Sequence, residues 1–198
     1  MSDLAIRTAV PEDARAIAQV RIDAWRTTYK GMIPDAYLAA MSVADSTALW
    51  LRVLTAASSK ASVFVAANGQ DIVGFAAGNL LPEPKHGLDA ELTAIYLRRD
   101  SQRAGIGRRL VAAVVAAERT QGATGLITWV IAANKGARAF YERLGGELLV
   151  EQPFQWDGMD LVEVGYGWRD LDALAAVLYG QKTIIREPAA KVHSGEKA

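Results

Sequence analysis

The chain has 198 residues, enough for one well-filled core and few for two. Hydrophobic residues make up 51% and charged residues 22%, and Lys+Arg balance Asp+Glu at 22 each. That composition is ordinary for a soluble globular domain and lacks the broad positive field with which proteins approach nucleic acids or anionic membranes, so neither is expected as a partner. With no cysteine, disulfides, thiol nucleophiles and Cys-ligated metals are excluded. The two histidines, His86 and His193, are too far apart in the chain to suggest a metal site, and no metal is expected. Acids and Pro11 stand early, where a signal peptide would be apolar. The longest apolar runs, 110–117 and 126–133, fall short of the roughly 20 residues of a membrane span. A cytoplasmic protein is the expectation.

Leu4, Ile6 and Thr8 alternate with Ala5, Arg7 and Ala9, the period of a short strand. Pro11 suits a first helical position, and Glu12 and Asp13 favour the positive end of the helix dipole. Ala14, Ile17, Ala18, Ala24 and Trp25 give that helix one apolar face to about Thr28, before Gly31 and Pro34 break it. A short helical stretch is expected over 35–41. Ser42 with Asp45 resembles a capping box, opening a helix through Leu49, Trp50, Val53 and Leu54. Residues 62–67 and 72–79 read as a hairpin around Asn68-Gly69, and Pro82 and Pro84 mark a loop. Residues 90–97 form another strand, rich in β formers at Thr93, Ile95 and Tyr96.

Apolar positions 106, 110, 113, 114 and 117 have helical spacing over 106–121, and Gly122 stops that helix. The continuous apolar run 125–131 suits a strand covered on both faces. Asn134 can cap a helix through Ala137, Phe140, Tyr141 and Leu144, ended by Gly145-Gly146. Two strands follow, 147–155 and 159–168, around Asp157-Gly158. The order β-α-α-β-β-β-α-β-α-β-β implies one α/β domain with a mixed sheet over residues 1–168. In the remaining 169–198, Leu171, Leu174, Ala175 and Leu178 line a short helix from Asp170 to Gly180, and 189–198 is expected to be loose.

The segment that points to chemistry is E-L-T-A-I-Y-L-R-R-D-S-Q-R-A-G-I-G, residues 91–107. A strand runs through a polar loop into two glycines that open a helix, an arrangement suited to an anion. The first helical N–H groups have no intrahelical partner, and glycines let a phosphate reach the bare backbone. Gln102, Arg103, Arg108 and Arg109 add donors or charge. A nucleoside triphosphate loop would need Lys-Ser or Lys-Thr after the glycines. A dinucleotide loop would need a third glycine where Leu110 stands, just after the first strand. The pyrophosphate of coenzyme A is the remaining candidate, although an isolated pair of glycines often does no more than start a helix.

Three motifs together resemble the GNAT superfamily of N-acetyltransferases, over about residues 6–168. They are Gln102-x-x-Gly105-x-Gly107 after a strand, N-K-G-A-R-A-F-Y-E-R-L-G from Asn134 to Gly145, and A-W-R-T-T-Y-K-G-M-I-P from Ala24 to Pro34. Two departures stand out. Gly146 occupies a position where many members carry an aromatic residue, and Arg99-Asp100 lies where a proline is usual. The resemblance implies a mostly antiparallel sheet flanked by helices, with one splayed parallel strand pair, and acetyl-CoA as cosubstrate. It also implies an amine acceptor on a small molecule or peptide.

The resemblance further implies roles. The backbone around Tyr96, at Ile95 and Leu97, would bond the pantetheine amides, with Ile95 N–H also a candidate for the oxyanion. Gln102, Arg103, Ala104, Gly105, Ile106, Gly107 and Arg108 would hold the pyrophosphate, and Asn134 would approach the pantetheine arm. Tyr141 would be the acid beside the thioester sulfur, although helical spacing alone makes it a core aromatic. Glu91 is a candidate base, equally readable as a solvated strand-end glutamate. Trp25, Tyr29 and Ile33, with Phe154 and Trp156 opposite, would wall the acceptor site, although Trp25 reads equally as a core residue. Glu151, Asp157 and Asp160 give the last hairpin an acidic tendency that would suit a cationic amine, and that a solvated hairpin tip explains equally well. Because family members are often dimers, the C-terminal apolar stripe suggests a homodimer. A non-catalytic acyl-CoA sensor on the same fold is the alternative.

Overall fold

The computed structural model describes residues 4–56 and 61–180. The segment 189–198, expected to be loose, lies outside the described residues. The strands are β1 (Leu4–Thr8), β2 (Ala61–Asn68), β3 (Asp71–Lys85), β4 (Leu88–Leu97), β5 (Leu126–Ile131), β6 (Glu147–Trp156) and β7 (Met159–Trp168). They make one sheet in the order β1-β2-β3-β4-β5-β7-β6, antiparallel throughout except for the parallel pair β4–β5.

The helices are α1 (Ala14–Thr28), α2 (Asp35–Ala40), α3 (Val43–Thr55), α4 (Ile106–Thr120), α5 (Lys135–Arg143) and α6 (Leu171–Tyr179). They cover the sheet on both sides. On one, Ile17 and Val20 of α1 and Trp50 of α3 pack with Val65 and Phe75. On the other, Leu110 and Val114 of α4 and Tyr141 of α5 pack with Leu92, Leu126 and Val164. The caps form as their side chains allow. Ser42 Oγ accepts from Asp45 N at 3.2 Å, Asn134 Oδ1 from Ala137 N at 3.1 Å, and Asp170 Oδ1 from Asp172 N at 2.8 Å.

Three expectations are revised. Pro82 and Pro84 do not interrupt the chain as a loop, because β3 continues to Lys85. They are tolerated there because the register between β3 and β4 slips between Leu80 and Lys85, so no ladder bond is asked of either proline. Pro11–Asp13 is a 3₁₀ turn rather than the first turn of α1. The Asp13 carboxylate serves β1 instead, accepting from Arg7 at 2.6 and 2.8 Å. The apolar stripe of α6 is not available to a second subunit. Leu171, Leu174, Ala175 and Leu178 are buried in the same core as α4, which removes the ground for expecting a dimer through that helix.

The departure at Gly146 has a packing reason. A Cβ there would come within 2.8 Å of Trp168 Cζ2, and Trp168 Nε1 donates to Leu144 O at 2.9 Å. The β7 indole therefore fills the space beside the end of α5. No helix among the described residues is long and apolar enough to cross a membrane.

Glu118 of α4 is 0% exposed, with Oε1 lacking any partner and Oε2 accepting from Gln121 Nε2 at 3.2 Å. Burial pushes its carboxyl above the usual range, with a Ser62 hydrogen bond opposing. The folded chain thus holds this proton at pH values where the unfolded chain has lost it. Stability must fall as pH rises through that window. Glu118→Gln should remove this part of the slope, so the variant gains on wild type between pH 5 and pH 8 in urea unfolding.

Candidate active site

The site begins where the sheet opens. β4 and β5 pair only at Ala90–Leu126 and Glu91–Ile127. Immediately beyond, Thr128 Oγ1 donates to Leu92 O at 2.9 Å, a side chain standing in for the next ladder bond. From there to Leu97 and Ile131 the two strands have no shared ladder, which leaves a wedge-shaped gap in the sheet.

An irregularity decides which backbone groups face that gap. The β3–β4 register shifts between Ala77–Ala94 and Gly78–Leu92, so Thr93 is the extra residue of a bulge. Before it, Ala90 N donates to Gly125 O on the β5 side. After it, Arg98 N donates to Val73 O on the β3 side. Strand alternation then turns the N–H groups of Ala94 and Tyr96 to β3 and those of Ile95 and Leu97 into the gap, where no strand meets them. The Leu97 carbonyl accepts from Gln102 Nε2 at 3.4 Å.

Tyr141 stands at the apex. It is 4% exposed, its ring 5.5 Å from Phe140 and 6.1 Å from Trp168. Burial pushes its phenol up to about 12, with the Thr128 hydroxyl opposing and the Tyr96 phenol adding to the rise. It is therefore neutral and a proton donor throughout the physiological range. Asn134 is buried at the start of α5, where its Oδ1 accepts from Ala137 N. Burial pushes the Tyr29 phenol up, the phenols of Tyr96 and Tyr141 add to it, and a hydrogen bond with Asn134 opposes.

The glycine loop lies at the open end. Arg103 has φ 63° and Gly105 φ 77°, and left-handed residues alternating with ordinary ones turn successive N–H groups toward one point. The first helical bond of α4 runs from Arg109 N to Gly105 O at 3.2 Å, so the N–H groups of Ile106 and Gly107, ahead of it, have no acceptor within the helix. Gly107 packs against α5, where a Cβ would lie 3.4 Å from the Phe140 ring. Two guanidinium groups expected beside this loop go elsewhere. Arg108 donates to the α6 carbonyls of Val177 and, at 3.0 Å, Leu178. Arg109 Nη2 donates to Leu4 O at 3.0 Å. Arg108 keeps a place at the loop through its backbone, and Arg103 lies within the loop itself.

On the α1 side of the sheet the gap opens into a cavity of about 750 Å³. Trp25, Tyr29, Ile33, Phe154 and Glu91 all line it. The Trp25 ring lies 4.8 Å from Tyr29 and 5.8 Å from Trp156, joining α1 to β6. Lys85 Nζ holds Glu91 Oε2 at 3.2 Å, so the candidate base is ion-paired rather than simply solvated. Glu151, Asp157 and Asp160 do not line the cavity, but Glu163 does. Residues 152, 154 and 156 of β6 and 161 and 163 of β7 face it, and the intervening residues turn to the other side. Thr128, Trp129, Lys85, His86 and Glu163 were not singled out by sequence. Their one shared signal is that each lies on or beside a strand bordering the gap.

A parallel pair that parts after two residues, an N–H-rich loop opening the next helix, and a buried phenol between them define an acyltransferase of the GNAT type. The chain belongs to the acetyltransferase (GNAT) family, whose model matches residues 22–146. YuaI of Bacillus subtilis (strain 168), an uncharacterized N-acetyltransferase, is 36% identical over 174 residues, spanning 87% of this chain and 97% of that one. The PaiA N-acetyltransferase of Thermoplasma acidophilum, solved with coenzyme A, has a TM-score of 0.64 at 19% identity, over 82% of this chain and 98% of that one. The yncA structure from Salmonella typhimurium, solved with acetyl-CoA, has a TM-score of 0.62 at 18% identity, over 85% and 94%. At these identities the two structures speak for the fold.

The Thr128 bond is the hinge of this geometry and can be tested without any ligand. Thr128→Val keeps the shape but strands the buried Leu92 carbonyl. It should cost about 1–3 kcal/mol in urea unfolding, with Thr128→Ser recovering part of the loss.

Proposed function

We propose that the protein transfers the acetyl group of acetyl-CoA to a primary amine by direct attack in a ternary complex. The observation that carries this reading is the gap between β4 and β5. It offers unpaired N–H groups at Ile95 and Leu97, N–H groups at the α4 start, and a neutral phenol at its apex. These residues fit the cosubstrate in kind: backbone donors for the amides of a pantetheine arm and converging N–H groups for a pyrophosphate. PaiA with coenzyme A and yncA with acetyl-CoA, on the same fold, support it. Bound there, acetyl-CoA supplies an activated thioester.

The chain's own residues then have two protons to manage. An aliphatic ammonium with pKa near 10 must lose a proton, at a cost of about 4 kcal/mol at pH 7. Glu91 faces the acceptor cavity and accepts that proton, with Lys85 holding the carboxylate in place. Tyr141 serves the departing sulfur. With burial pushing its phenol up to about 12, Tyr141 stays protonated and gives up its proton reluctantly. Its role is therefore a hydrogen bond that strengthens as charge grows on sulfur. The Ile95 N–H, already without a strand partner, is placed to meet the oxyanion. A sensor without turnover would need neither a buried phenol nor a carboxylate across from it. The same reading places the protein in the cytoplasm, with no metal in the reaction.

Calorimetric titration tests the cosubstrate: saturable binding of acetyl-CoA is expected, with none of ATP or NAD. Equal binding of ATP would contradict the reading. Tyr141→Phe should lower kcat by about 10²-fold or more while acetyl-CoA binding stays within about threefold. Because the phenol remains protonated, wild-type activity should keep rising with pH up to about 10 as the amine is freed.

A further inference from the structure

The acceptor cavity carries more chemistry than the transfer reaction requires. Seven of its lining residues are Trp, Tyr or Phe, drawn from α1, α3, β4, β5 and β6. Four lining residues carry full charges, Arg21, Lys85, Glu91 and Glu163, and their formal sum is zero. Three of these are already engaged. The Arg21 guanidinium lies 4.9 Å from the Trp25 ring centroid, and Lys85 is paired with Glu91.

Glu163 differs. Its Oε1 accepts from the neutral Gln152 amide at 2.8 Å, and among the described residues no cation lies within ion-pair distance of it. Its surroundings are aromatic. Glu163 lies opposite Ile131, and Trp129 opposite Gly165, so the indole and the carboxylate occupy one face two positions apart along the strands. Gly165 makes room for that indole, since a Cβ there would come within 3.1 Å of Trp129 Cζ3. Phe154 and Trp156 wall the same face from β6, their centroids 5.8 Å apart. A carboxylate without a cation, bordered by aromatic rings, suits an organic ammonium ion.

Resting on the acetyl-transfer reading, we propose that the cavity takes a primary amine borne on a flat aromatic body, a monocation of the arylalkylamine type. Glu163 is the specificity residue that draws its ammonium form in. The charge balance argues against an extended polyamine, which would need several uncompensated carboxylates. An amino sugar or a peptide N-terminus brings hydroxyl or amide groups that these aromatic walls would leave unpaired. The volume suits a small molecule.

The test uses phenethylamine, putrescine, glucosamine and an alanine tripeptide as acceptors with acetyl-CoA, and follows indole fluorescence on adding phenethylamine with and without coenzyme A. Phenethylamine should show the highest kcat/KM, by about tenfold or more, and should quench the indoles saturably. Glu163→Gln should raise its KM or Kd by about tenfold with kcat within about threefold, and Glu163→Asp should recover part of the loss. Preference for putrescine, glucosamine or the tripeptide, absence of quenching, or an unchanged KM in Glu163→Gln would each overturn the proposal. Loss of cofactor binding with phenethylamine quenching intact would instead count against the transfer reading alone and support this one.

Discussion

The rest of the site depends on one constraint: backbone polar groups inside a sheet must find partners, and between β4 and β5 they stop doing so after Glu91 and Ile127. A parallel pair would normally continue its ladder. Here the Thr128 side chain takes the Leu92 carbonyl, the strands part, and N–H groups are left facing an opening. Such groups are costly to bury unmatched and well suited to a ligand that brings carbonyls. The bulge at Thr93 determines that these are the groups of Ile95 and Leu97 rather than of their neighbours. It also sends the side chains of Ile95 and Leu97 to the α4 core and those of Ala94 and Tyr96 to the α1 side.

The two faces of the sheet thereby acquire different tasks. On one, α4 and α5 bring the glycine loop and Tyr141 to the gap. On the other, α1 and β6 close an aromatic cavity around Glu91 and Glu163. The three phenols of Tyr29, Tyr96 and Tyr141 stand between these regions, all pushed up by burial and so held neutral. On the proposed reading, the site would hold a neutral donor at the leaving group and carboxylates at the acceptor, the charge states that amine acetylation at neutral pH requires.

Much of this was legible in the sequence because it is local. Asn134, Gly105 and Gly107 announce helix starts by residue type alone, the alternation over residues 4–9 marks β1, and Asn68-Gly69 and the β formers Thr93, Ile95 and Tyr96 mark the strands around them. The role of Tyr141 was not readable from spacing, since Phe140 and Leu144 give the same helical face. The proposal for it rests on the family resemblance, and what the structure shows is a buried phenol beside Thr128. What stayed hidden is long-range. Arg108 turns to carbonyls some 70 residues away, and Trp168 fills the place beside Gly146. The acidic tendency of the last hairpin was visible, but not which acid faces the cavity. That depends on the register of Glu163 against Ile131, which no local pattern encodes. Pro82 and Pro84 misled for a related reason: a slipped register tolerates prolines that a regular ladder would reject.

The central claim is that the parted strands are the cosubstrate cleft. Residue-resolved amide hydrogen exchange, with and without acetyl-CoA, tests it most directly. The Ile95 and Leu97 amides should exchange readily in the free protein and become protected on binding, together with those of Ile106 and Gly107. The Ala94 and Tyr96 amides, already bonded to β3, should change little. Unaltered exchange at Ile95 and Leu97 under saturating acetyl-CoA would contradict the account.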